Sequence, residues 1–151
     1  MFDKHKKVII VVLVLFLALL AFKVFYHKPS YNKKDGVFDT TQFKLEMKDR
    51  GYKFEIKDAE QDFLPTVRKR MIIGSEAIDI YRYDNNESME EDAGRIDSGG
   101  CTYSGINSKK VSWTKAPHFY KKGNIIVLYV GNDRDIISHL SEILGNQFAG
   151  Q

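Results

Sequence analysis

The amino-acid sequence predicts an α+β domain, a mainly antiparallel sheet with helices packed on one face, carried behind one N-terminal transmembrane helix. Three observations predict it. An apolar run without a charge extends from Val8 to Phe22. Further along, short alternating or continuous apolar segments separated by glycine-containing turns mark strands joined as hairpins. Other segments carry apolar residues at helical spacing behind capping residues.

Val8 to Tyr26 reads VIIVVLVLFLALLAFKVFY, 19 residues with one charge, Lys23. At about 1.5 Å per residue such a helix spans about 28 Å, close to the thickness of a bilayer core. Residues 1–7 are therefore expected as a cytoplasmic stub and 8–26 as a membrane anchor in contact with lipid. Residues 27–36 (HKPSYNKKDG), polar and without an apolar period, read as a tether, and 37–151 as an extracytoplasmic domain. A cleaved signal peptide is the competing reading of the same basic and apolar stretch. Bulky Leu19 and Leu20 lie between Ala18 and Ala21, so no small-x-small cleavage pattern forms, and a retained anchor is expected. Lys4, Lys6 and Lys7 favour a cytoplasmic N-terminus. Lys23, Lys28, Lys33 and Lys34 reduce that asymmetry, but long domains translocate largely regardless of charge. The expected location is the cell membrane, single-pass, with the C-terminal domain outside.

Within the domain, Asp39 or Thr40 can cap a helix over Thr40 to Arg50, with Gly51 at its stop. Tyr52 to Lys57 alternates apolar and polar residues as a half-buried strand does. Val67 to Ile73 and Glu76 to Tyr83 read as a hairpin closed at Gly74-Ser75. Apolar residues on both faces of the second of these make it a central strand. Asn86 to Asp97 reads as a helix capped by Asn86 or Ser88, with Met89, Ala93 and Ile96 on one narrow face. Short strands follow near Cys101 to Tyr103 and Val111 to Thr114, then Pro117 to Tyr120 and a turn over Lys121 to Asn124. Ile125 to Val130 (IIVLYV) reads as a central buried strand. Asp133 opens a last helix whose face is Ile136, Ile137, Leu140, Ile143 and Leu144, and Gly145 ends it.

Charge narrows the function classes. Residues 1–30 hold five lysines and one acid, a net of +4, while 31–151 hold 18 Lys+Arg and 19 Asp+Glu, a net of −1. The basic balance belongs to the anchor. A near-neutral domain lacks the basic surface that releases counterions from phosphates, so no nucleic-acid partner is expected. Arg68-Lys69-Arg70 and Lys121-Lys122 read as solvated strand or turn positions. With one cysteine the fold has no internal disulfide and depends on its apolar core, which 10 Phe and 8 Tyr help to fill.

The candidate site residues are few. Cys101 and His118 are the one pair that suggests a thiol nucleophile with a base, the basis of a hydrolase alternative. A half-buried core thiol and a packed strand-start histidine are the plainer readings. No H-x-x-H, H-E-x-x-H or C-x-x-C spacing occurs, so no metal site and no cofactor are expected. Glu87, Glu90, Glu91 and Asp92 lack the calcium-loop pattern and read as a solvated helix start. Gly131 to Asp135 is a strand-to-helix turn of the kind that can hold an anion, but Asp133 fills that place as the cap. If the domain uses a surface for a ligand or partner, Trp113, His118, Phe119 and Tyr120 are its candidate residues, because exposed aromatic residues anchor recognition; core packing is the plainer reading for at least two of them.

Val111-Ser112-Trp113, Pro117 through Gly131, and Leu140 to Gly150 (LSEILGNQFAG) carry a resemblance. Through them the chain resembles a family of small membrane-attached proteins and lipoproteins of low-GC Gram-positive bacteria without an assigned activity. The similarity runs from Phe43 onward and is strongest in roughly the last 40 residues. Members commonly carry a lipobox cysteine. Here the one cysteine lies 75 residues beyond Tyr26, which leaves the helix as the anchor. The resemblance implies export and adds no catalytic residue. The expected function is a non-enzymatic, membrane-tethered extracytoplasmic module that binds an envelope protein or ligand. An accessory subunit of a membrane complex is the alternative from another class.

Overall fold

The computed structural model describes residues 37–151. The expected stub, anchor and tether (1–7, 8–26 and 27–36) lie outside the described residues. Among the described residues no helix is long and apolar enough to cross a membrane.

The described residues form three helices and eight strands in the order α1 (Thr40–Asp49), β1 (Glu55–Ala59), β2 (Val67–Ile73), β3 (Glu76–Arg82), α2 (Asn86–Ala93), β4 (Thr102–Tyr103), β5 (Lys109–Lys110), β6 (Pro117–Lys122), β7 (Ile125–Val130), α3 (Arg134–Leu144) and β8 (Ala149–Gly150). Six strands form one sheet in the order β1-β2-β3-β7-β6-β8, every neighbouring pair antiparallel. β4 and β5 form a separate ribbon. The α+β class and the antiparallel sheet are thus present.

The hairpin β2–β3 closes at Ile73 and Glu76 around Gly74-Ser75. Gly74 sits at φ +59°, which fits the first central residue of a type II′ turn, where a side chain is disfavoured. β3 and β7 are adjacent central strands, as their sequences predict. Along β7 the side chains divide strictly. Ile125, Val127 and Tyr129 enter one core, and Ile126 and Leu128 enter the other.

This division overturns the expectation of helices on one face. The sheet is apolar on both faces, so each needs a cover. α1 and α3 cover the first, where Phe43, Met47, Ile136, Leu140 and Ile143 pack on Ile78, Ile80, Val127 and Tyr129. α2 lies on the second, where Met89 and Ala93 join Tyr81, Phe119, Ile126 and Leu128. Phe63 and Leu64, from the β1–β2 loop, and Tyr103 complete that core.

The caps follow from short acceptor side chains at the helix starts. Asp39 Oδ1 accepts from the Thr41 and Gln42 amides at 2.8 and 3.0 Å. Asp133 Oδ1 accepts from those of Asp135 and Ile136 at 3.0 and 3.1 Å. α2 is capped by Asn85, not Asn86 or Ser88, through a bond from the Ser88 amide at 2.8 Å. It also stops at Ala93 instead of running to Asp97, because Ile96 is drawn into an extended bridge with Tyr103.

Three strand boundaries differ from expectation. β1 begins at Glu55, since the Tyr52 hydroxyl engages His139 Nδ1 at 2.8 Å and ties that stretch to α3. Val111 to Thr114 is not a strand, and the ribbon ends at Lys110. β6 continues to Lys122, which pairs with Ile125 around a two-residue turn at Gly123-Asn124.

Several buried tyrosines make the fold sensitive to alkali. Tyr81 donates to Asp62 Oδ1 at 2.6 Å, Tyr103 to Asp92 Oδ1 at 2.6 Å and Tyr129 to Glu76 Oε2 at 2.7 Å. Burial, together with these carboxylates, raises all three hydroxyls above the ordinary tyrosine range, Tyr129 to about 12. Above pH 10 the unfolded chain releases these protons while the folded chain keeps them, so stability falls as pH rises. The contribution is complete below pH 10. For Tyr129 it disappears as pH approaches about 12. Urea midpoints measured at pH 8 and pH 11 are expected to drop for the wild type and to drop less for Tyr129→Phe.

Candidate functional site

The four aromatic residues expected to form one surface do not do so. Trp113 stands in the loop before β6, and the other three are consecutive on β6, whose side chains alternate between faces. Tyr120 belongs to the first core and Phe119 to the second, and both are fully enclosed at 0% exposure. Neither meets a partner in the folded domain, which corrects that expectation. His118 is also buried, at 7% exposure. Its ring stacks on Tyr129 with centroids 6.0 Å apart. Nε2 lies 3.0 Å from the Gly131 carbonyl and Nδ1 lies 2.8 Å from Gln147 Oε1. A carbonyl only accepts, so Nε2 carries the hydrogen; the Gln147 amide, which can present either end, meets Nδ1.

Trp113 is different. It is half-buried and lies on the second face. Its ring packs edge-on against Phe63 at 5.6 Å and Phe119 at 6.4 Å, and Nε1 donates to the Gly100 carbonyl at 2.7 Å. Phe148, also half-buried, packs on Phe119 at 6.2 Å. Two partly exposed aromatic rings therefore flank the enclosed Phe119. Lys121 extends its ammonium over Phe148, 5.4 Å from the ring centre. Gly100 closes the floor: at φ +68° it has no side chain to strain, and an added Cβ would stand 2.8 Å from the Phe119 ring. Phe148 gives no periodic signal in the sequence, because it lies between the last helix and β8, outside any regular element.

Cys101 and His118 are not brought together. The Cys101 Sγ faces the Gly99 carbonyl at 3.5 Å and its amide donates to Asp97 Oδ1 at 2.7 Å. Both His118 ring nitrogens are engaged elsewhere. In the acidic stretch, Glu87, Glu90 and Glu91 are exposed, whereas Asp92 lies on the buried side of α2. Asp92 accepts from Tyr103 and pairs with Arg95 at 3.2 Å, so it fastens the helix to the β4–β5 ribbon. Among the described residues no group of three His, Cys, Asp or Glu is placed to hold a metal ion.

A second feature of this face was missed from sequence. Arg68 and Arg70, read as solvated, converge with Asp79 and Asp62. Asp79 Oδ2 accepts from Arg68 Nη2 at 2.8 Å, and its two oxygens accept from Arg70 Nε and Nη2 at 2.8 and 2.9 Å. Arg68 also reaches Asp62 Oδ2 at 2.8 Å and the Glu60 carbonyl at 2.9 Å. Asp79 holds Arg70 more firmly protonated than an ordinary arginine. The Arg68 Nε is buried without a partner. Charges balance within the cluster, two of each sign, which suits a structural clamp.

Fold and surface together define a six-stranded antiparallel sheet covered by helices on both faces, with a rigid aromatic ledge on the α2 side. No family model matches the chain, and no curated protein and no solved structure matches it.

Proposed function

We propose that this chain is a single-pass membrane protein whose domain stands outside the cytoplasm and binds an envelope protein or ligand without catalysing a reaction on it. The apolar stretch 8–26 and the polar tether after it support the location. One observation carries the binding surface. Trp113 keeps part of its ring exposed while its indole is fixed by the Gly100 carbonyl and by Phe63 and Phe119. An aromatic ring held in one orientation loses little freedom on binding, which is how such side chains become dominant contacts. Phe148 extends the same ledge.

The test places a photo-crosslinking residue at position 113 in intact cells, with position 138 on α3 as the control on the other face. A discrete adduct from 113 and none from 138 is expected. Trp113→Ala, checked for folding by circular dichroism, is expected to weaken retention of that partner by about tenfold or more. Equal adducts from both positions, or unchanged retention, removes the ledge as the binding surface. Protease added to intact cells is expected to cleave the domain; a protected domain removes the extracytoplasmic placement.

A further inference from the structure

We infer that β1 is the pairing edge of a symmetric dimer, in which two copies of this chain join their sheets antiparallel about Ile56. β1 ends the sheet, and among the described residues no strand occupies its outer side. The backbone groups on that side follow from the register. In the two-residue hairpin, Ile73 and Glu76 exchange hydrogen bonds, so alternate residues Ile72, Arg70 and Arg68 direct theirs toward β1. Their partners are Glu55, Lys57 and Ala59. Ile56 and Asp58 therefore point their N–H and C=O groups outward, where no strand among the described residues meets them.

A second β1 placed antiparallel on this edge, with the two-fold axis at Ile56, satisfies them. Ile56 faces Ile56 of the second copy and the two exchange both hydrogen bonds. Glu55 then stands opposite Lys57 of the second copy, and Lys57 opposite its Glu55. These are non-hydrogen-bonded positions, where opposed side chains come closest. The Glu55 and Lys57 side chains leave the same face of the strand, with Oε2 and Nζ 3.4 Å apart in a single copy, and both are exposed. Half-buried Ile56 meets its own copy on the other side, beside the partly buried Phe54 of the first core. Moving the axis by one residue sets Lys57 against Lys57 or Glu55 against Glu55. Of these three neighbouring registers, only the one at Ile56 opposes unlike charges.

The experiment uses the full chain in membranes, with Cys101→Ser as background. Co-expressed Glu55→Cys and Lys57→Cys chains are expected to form a disulfide-linked dimer under mild oxidation, while each alone does not. Glu55→Cys with Asp58→Cys, whose side chains leave opposite faces, is expected not to link. A charge series tests the register independently. Glu55→Lys and Lys57→Glu each set like charges opposite one another twice, and each is expected to lower the dimer fraction, weakening association about tenfold. The double variant E55K/K57E, or a mixture of the two single variants, restores opposite pairs and is expected to recover the wild-type fraction. Equal linking at position 58, or single reversals that leave the dimer unchanged, overturns the inference. So does a double variant as monomeric as the singles.

Discussion

Asp79→Ala is expected to remove about 3–5 kcal/mol of folding stability, the loss seen when one partner of a buried ion pair is deleted. Asp79 lies on central β3, its side chain 10% exposed, and accepts three hydrogen bonds from two guanidinium groups. The consequences for the two arginines differ. Arg70, 43% exposed, can turn toward water. Arg68, 8% exposed, cannot, and is left with Asp62 and one carbonyl for a buried positive charge. The penalty therefore falls mainly on Arg68. A double-mutant cycle checks this: Arg68→Ala with Asp79→Ala is expected to cost clearly less than the two single losses added, because removing Arg68 removes the stranded charge. Arg70→Ala is expected to cost little. Urea titrations of the four variants supply the comparison, and additive losses would place the cost elsewhere.

That network explains where sequence reading stopped. The hairpin at Gly74-Ser75 was legible, and it carries the pairing with it. Closing Ile73 on Glu76 sets Arg70 opposite Asp79 and Arg68 opposite Tyr81, as observed. The three-residue basic run looks solvated when read as composition. Read as a strand, it sends Arg68 and Arg70 to one face and Lys69 to the other, where Lys69 meets Asp58 at 2.6 Å. β7 was legible for a stronger reason: a continuous apolar run of strand length, with apolar residues at both parities, needs cover on both sides. The same parity in β3 and β7 implies helices on two faces, yet α2 is short, buries Met89 and Ala93 as its only apolar residues, and declares no side of its own. Loop packing was not legible. Phe63, Trp113 and Phe148 lie outside regular elements, and only tertiary contact brings them onto Phe119.

Phe119→Ala is expected to cost about 3–5 kcal/mol, the range for emptying a large aromatic site in a core. Phe119 lies opposite Leu128 in the β6–β7 ladder, and its ring meets Phe63 at 5.6 Å, Phe148 at 6.2 Å and Trp113 at 6.4 Å. Three rings that meet across it lose a shared neighbour, and the surrounding strands cannot close the gap without moving β6. Trp113 is the only tryptophan, so its emission reports on this position directly. A red shift in the folded state of Phe119→Ala is expected with the lowered urea midpoint, because the indole loses apolar cover. Gly100 supplies the independent check. Gly100→Ala would press a methyl to 2.8 Å from the Phe119 ring and hold an alanine at φ +68°. Emptying position 119 relieves the first of these and leaves the second. The combined variant is therefore expected to be less damaged than the two single losses predict, with a residual cost from the backbone alone. Strict additivity would mean that Gly100 is retained for its turn and that the ring is not pressed against it.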